Sequence, residues 1–109
     1  MSFDIRCAIE YFNEHLFYTQ CRVDTMRKIC RIRQNNFSLR FKHHTGFTPA
    51  GYLTHHRIEA AKLLLSEVKL KKISISEIGF TVGYERASTF TTIFKNKEGI
   101  TPGEWRNNN

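Results

Sequence analysis

Two short runs, GFTP at residues 46–49 and GITP at residues 99–102, constrain this chain more than any other feature. In each, the glycine suits a left-handed helix terminus, and the threonine suits the N-cap of the helix that follows. The proline fits the first helical position, where its missing N–H costs nothing. Around these stops apolar residues recur three and four apart, and nothing alternates with period two for long enough to make a strand. The expected fold class is all-α, with about seven helices.

A first helix is expected near residues 3–17, with Ile5, Ile9, Phe12 and Leu16 along one stripe. A second starts from Asp24 as N-cap, with Met26, Ile29 and Cys30 on one side. A third spans about 35–45, with Phe37 and Phe41 inward. The longest covers 50–68 and carries Leu53, Arg57, Ala60, Ala61, Leu64 and Val68 along one side. Ser74, three residues before Glu77, forms a capping box that opens a fifth helix with Ile75, Ile78 and Val82, stopped by Gly83. A sixth covers 86–98, and a short last helix contains Trp105.

At 109 residues the chain suits one domain with a modest core. No stretch approaches the roughly 18 apolar residues of a membrane span, and the N-terminus lacks a basic region followed by an apolar run, so a cytoplasmic location without membrane contact is expected. Cys7, Cys21 and Cys30 are odd in number and lack CxxC spacing, which predicts reduced thiols acting as small buried hydrophobes. The net charge of +7 is uneven: residues 21–72 hold twelve bases and three acids, whereas residues 73–109 hold four of each. A basic middle segment points to a polyanion, with nucleic acid ahead of an anionic membrane.

Residues 24–45 and 75–98 each show a short helix, a tight turn and a second helix, the shape of a helix-turn-helix unit. On the sixth helix Phe90, Ile93, Phe94, Ala87 and the stem of Lys97 share one side. Ser88, Thr92, Lys95 and Asn96 lie opposite, flanked by Thr89 and Thr91. Short hydroxyl side chains let a helix backbone approach the floor of a major groove and bond to bases or phosphates, while threonine methyls meet thymine methyls. The same pattern also suits a threonine-rich surface helix with no partner.

Between Ile73 and Arg106, the residues Ile75, Glu77, Ile78, Gly83, Ser88, Phe90, Phe94, Lys95, Gly99, Thr101, Pro102 and Arg106 stand at fixed spacings. Upstream, Phe41, Lys42, Gly46, Thr48, Tyr52, Leu53, Arg57, Ile58, Ala61, Leu64 and Leu65 do the same. Both sets resemble the AraC family of bacterial transcription regulators, over about residues 5–106 in all. In the first unit two registers are open. One puts Met26 and Arg27 at the family's Leu-Ala pair, with Arg31 and Arg33 at its turn glycine and the serine that starts the third helix. The other puts Ile29 and Cys30 at Leu-Ala.

The resemblance implies one DNA-binding domain over residues 1–109. A first helix-turn-helix unit (about 3–46) and a second (about 74–106) are joined by a central helix (about 50–68), each presenting its second helix to successive major grooves. Base or nearby backbone contacts are expected from Asn35, Asn36, Ser38, Leu39, Arg40 and Lys42 in the first half, with Asn on adenine and Arg on guanine as the favoured pairs. In the second half they are expected from Arg86, Ala87, Ser88, Thr89, Thr91, Thr92 and Lys95. Arg31 and Arg33 are expected to clamp phosphates, as Lys42 and Lys95 also can. The implied function is sequence-specific binding of double-stranded DNA to regulate bacterial transcription, with activation the expected direction and RNA polymerase a further partner. An effector or dimerisation domain would lie outside these residues.

No cofactor, metal or catalysis is expected. The pairs His43–His44 and His55–His56 are adjacent, so their side chains diverge by about 100° on a helix and neither pair chelates. They read instead as solvated or phosphate-facing. No glycine-rich phosphate loop or nucleophile triad is present. The competing function is a protein-interaction module on the same fold, binding RNA polymerase or another regulator with weak DNA contact.

Overall fold

Helical spacing and the two Gly-x-Thr-Pro stops give seven α-helices among the described residues. The computed structural model describes residues 1–33 and 35–108, and Gln34 and Asn109, which the expected domain ranges include, lie outside them. The helices are α1 (Phe3–His15), α2 (Val23–Ile29), α3 (Phe37–Thr45), α4 (Pro49–Ser66), α5 (Ile75–Thr81), α6 (Ala87–Glu98) and α7 (Pro102–Asn108), with a 3-10 turn at Val68–Leu70. Thr48 Oγ1 accepts from Gly51 N at 3.1 Å at the start of α4, with Pro49 behind it. Thr101 and Glu104 exchange hydrogen bonds at the start of α7, Glu104 N donating to Thr101 Oγ1 at 3.1 Å and Thr101 N to Glu104 Oε1 at 3.0 Å. That reciprocal box satisfies two amides the helix itself cannot. Gly46 and Gly99 end α3 and α6 at φ 84° and 86°.

Two separate cores result. Ile5, Phe12, Met26, Phe37, Phe41, Tyr52 and Leu53 form the first. Ile58, Ala61, Leu65, Ile78, Val82, Phe90 and Phe94 form the second. Each of the five fully buried phenylalanines, Phe12, Phe37, Phe41, Phe90 and Phe94, stabilises its half by about 2–3 kcal/mol. α4 feeds both cores, its N-terminal half one and its C-terminal half the other. The molecule is drawn out to 44 × 22 × 21 Å as a consequence.

Several details differ from the sequence reading. α2 begins after Arg22, whose side chain makes no cap hydrogen bond, and Asp24 sits in the first turn instead, where its charge still favours the positive helix end. Ile29 is 58 % exposed while Met26 is fully buried, which decides the register: Met26 and Arg27, not Ile29 and Cys30, occupy the Leu-Ala positions. α4 stops at Ser66, so Val68 falls in the 3-10 turn and is exposed. Ala87, in the first turn of α6, is exposed rather than packed beside Phe90.

The cysteines also depart from expectation. Cys7 and Cys30 are joined by a disulfide, with their Cα atoms 5.9 Å apart, and only Cys21 is a free, buried thiol. The link fastens α1 to the end of α2 across 23 residues of sequence. Spacing along the chain carries no sign of a pair created by two helices meeting. His55 stacks on Phe47 with ring centroids 4.5 Å apart, and His56 packs on Tyr52 at 4.4 Å, so this pair faces aromatic rings, and burial holds the His56 pKa below its ordinary value.

Candidate nucleic-acid interface

α5–turn–α6 presents the hydroxyl face. Phe90 and Phe94 are fully buried, which leaves Arg86, Ala87, Ser88, Thr89, Thr92 and Lys95 exposed and Thr91 half-buried at the edge. Ser74 Oγ accepts from Glu77 N at 3.1 Å and starts α5. Gly79 lets α6 settle against α5, because a Cβ there would lie 2.7 Å from the Phe90 ring. α5 then ends in a Schellman motif: Tyr84 N donates to Gly79 O at 2.8 Å and Gly83 N to Phe80 O at 3.0 Å, with Gly83 at φ 112°.

α2–turn–α3 repeats the plan. Ile32 N donates to Arg27 O at 2.9 Å and Arg31 N to Lys28 O at 3.3 Å, so Arg31 stands where Gly83 stands in the second half, at φ 54°. Arg31 and Arg33 are exposed beside the turn, as are Asn35, Asn36, Ser38 and Lys42 on α3 and before it. Leu39 is 74 % exposed.

Arg40 is placed differently from the other expected contacts. Its guanidinium forks onto Asp4 of α1, Nη1 donating to Oδ1 at 3.1 Å and Nη2 to Oδ2 at 2.6 Å, and Nη1 also reaches Ser2 Oγ at 3.2 Å. Such bidentate pairs are the stronger kind of surface ion pair. The Arg40 guanidinium accordingly holds the Asp4 carboxyl well below the usual carboxylate range. Arg40 thus secures α3 to the start of α1, and the partner that does this lies 36 residues upstream, beyond the reach of local pattern.

Sequence reasoning assigned no role to Arg57, although the signal was present: a cation inside the apolar stripe of α4. It is 7 % exposed. Nε donates to Leu16 O at 2.8 Å, and Nη2 donates to Tyr18 O at 2.9 Å and Cys21 O at 3.0 Å. No described helix is long and apolar enough to cross a membrane.

The helix-turn-helix domain family matches residues 27–108. The MmsAB operon regulatory protein of Pseudomonas aeruginosa is 29 % identical over 105 residues, covering 96 % of this chain and 33 % of that protein. The C-terminal domain of AraT, a response regulator from Geobacillus stearothermophilus, superposes with a TM-score of 0.84 at 26 % identity over 99 % of this chain and 87 % of that one. The DNA-binding domain of AdpA, solved with a target DNA, shares the fold at a TM-score of 0.78 and 24 % identity, covering 96 % and 91 %. The chain spans about a third of the length of the curated relatives it matches. With two helix-turn-helix units on one central helix and a family match across most of its length, this chain belongs to the AraC-type helix-turn-helix regulators.

Proposed function

We propose that the chain binds double-stranded DNA with α3 and α6 in successive major grooves and so regulates transcription. The observation that carries the reading is α6 itself: an exposed face of small hydroxyls, Ser88, Thr89 and Thr92, braced from behind by buried Phe90 and Phe94. Grooves one helical turn apart are separated by about 34 Å, which a body 44 Å long accommodates. Arg86, Ala87, Thr91 and Lys95 complete this contact surface.

In the first half Asn35, Asn36, Ser38, Leu39 and Lys42 supply the contacts, and Arg40 orients α3 from Asp4 instead of reading a base. Arg31 and Arg33 clamp phosphates. None of Ala87, Ser88, Thr89, Thr91 and Thr92 can read a purine bidentately, so the second half is tolerant of sequence and the first carries more of the affinity. Activation of promoters, contact with RNA polymerase and an added effector or dimerisation domain belong to the same proposal, as does a cytoplasmic setting, where reducing conditions work against the Cys7–Cys30 link.

A second reading is favoured by one feature of the first half. Phe3 is 81 % exposed and lines, with Ile29, Arg31 and Arg33, an open cavity of about 730 Å³. Apolar residues beside arginines also suit a protein partner. Fluorescence anisotropy on random duplex DNA across a salt series, followed by selection from a randomised pool, separates the two. A steep fall of affinity with salt and an enriched motif of two half-sites about one turn apart support the reader. Weak, motif-free binding at low salt sinks it and leaves the protein-interaction module.

A further inference from the structure

We infer that Arg57 fixes the angle between the two reading heads and thereby sets the half-site spacing the chain accepts, an inference that rests on the DNA-reading proposal. Arg57 stands at the middle of α4, where one core ends at Leu53 and the other begins at Ile58. Its guanidinium donates hydrogen bonds to the backbone carbonyls of Leu16, Tyr18 and Cys21, all in the α1–α2 connection of the first half. The other side of the same guanidinium meets the second half: its Cζ lies 5.3 Å from the centre of the Tyr84 ring. Gly83 is pressed so close that a Cβ there would stand 2.6 Å from Arg57 Nε.

One planar cation therefore joins the α1–α2 connection to the α5–α6 turn, the turn that aims α6. Burying a guanidinium is costly unless its donors are met, and here backbone carbonyls meet them while an aromatic face covers the plane. The geometry is demanding, since the fork has fixed angles and a swing of either head about α4 breaks that head's contact with it. Lys97 makes a second tie across the seam, its Nζ 6.0 Å from the centre of the Phe47 ring. Lys97 is exposed, on a flexible stem, and so constrains orientation less.

The role is one of positioning, and spacing is the property it controls. A rigid pair of heads discriminates between half-site separations because the wrong separation must be met by bending or twisting DNA. Heads free to swing accept several separations.

The test uses duplexes carrying both selected half-sites with zero, one or two base pairs added or removed between them. For the unaltered chain, affinity should fall about tenfold or more per base pair of error. For R57L the penalty should shrink below about threefold, with affinity for an isolated half-site within about threefold of the parent. R57K, which keeps the charge but not the fork, should lie between. Residual dipolar couplings on the free protein supply a readout independent of DNA: the two heads should tumble with separate alignments in R57L and with one in the parent. An unchanged spacing penalty in R57L, or a single alignment, overturns the inference. If R57L does not fold, Y84L removes only the second-half contact, and the same two outcomes decide. If the parent chain shows no DNA preference at all, the DNA-reading proposal fails, and the dipolar couplings alone judge whether Arg57 locks the heads.

Discussion

Residues 26–49 and 78–102 build the same helix–turn–helix–stop from different materials. Where the second half has Gly79, Gly83 and Tyr84, the first has Arg27, Arg31 and Ile32, and the Schellman bonds that close α5 recur at the end of α2. The second half is held by close packing: Gly79 against Phe90, and Phe94 edge-on to Trp105 at 6.1 Å. To its own aromatic core the first half adds cross-links of other kinds, namely the Cys7–Cys30 disulfide, the Asp4–Arg40 fork, and the Arg27 guanidinium 5.4 Å above the Phe37 ring. Backbone geometry, then, does not dictate which side chains maintain it. A half that keeps arginines at its turn must find its stability elsewhere, and it does so by fastening α1.

The disulfide gives the largest expected asymmetry. Closing a loop of this size is worth about 3 kcal/mol in the chain-entropy account. Reduction, or C7A with C30A, should lower the opening free energy of amides in α1–α3, followed by hydrogen exchange, and leave α5–α7 little changed. Equal loss in both halves would show that the two unfold as one unit and that the comparison has no energetic content.

A smaller contrast comes from the paired positions Gly79 and Arg27. G79A places a methyl 2.7 Å from a fully buried ring, so overpacking outweighs the gain in helix propensity and a net loss of about 1–2 kcal/mol is expected. R27A removes an arginine lying over the Phe37 ring and should cost about 0.5–1 kcal/mol. Chemical denaturation of the two variants checks the order. The reverse ranking would mean that the first half depends on its cation–ring contact as much as the second depends on its close approach.

How far the sequence revealed all this follows the same division. Most of the second half was legible, since its Gly83 stop, its Ser74 cap and its Phe90–Phe94 pair act over three to five residues, although Ala87 is exposed rather than packed. The stops at Gly46 and Gly99 were local signals too. In the first half the determining contacts join residues 23 to 41 apart: Cys7 with Cys30, Asp4 with Arg40, Leu16 with Arg57. Periodicity is blind to such pairs, and so Ile29 looked like core, the cysteines looked reduced, and Arg40 looked free to meet a base. Exposure of Ser88 and Thr92 followed from the placing of apolar residues around the sixth helix. The carbonyl-bound Arg57 did not, because the carbonyls belong to a connection without regular structure.

Arg31 offers the finest cut between the halves. It holds a left-handed φ of 54° at the position that Gly83 fills with φ 112°, and a side chain there costs about 1–2 kcal/mol relative to the right-handed region. R31G relieves that strain but adds chain entropy to the unfolded state, so a net gain of roughly 0.5–1 kcal/mol is expected. If Arg31 were only a poor turn residue, the substitution would improve the protein without affecting binding. If it clamps a phosphate, R31G should be more stable yet weaker on DNA, with the salt slope reduced by about one. Strain kept at a position that touches a ligand is the expected signature of function, and stability and affinity must move in opposite directions for it to hold here. A more stable R31G with the parent's salt slope would remove Arg31 from the interface and make its φ merely a tolerated departure from the pattern of the second half.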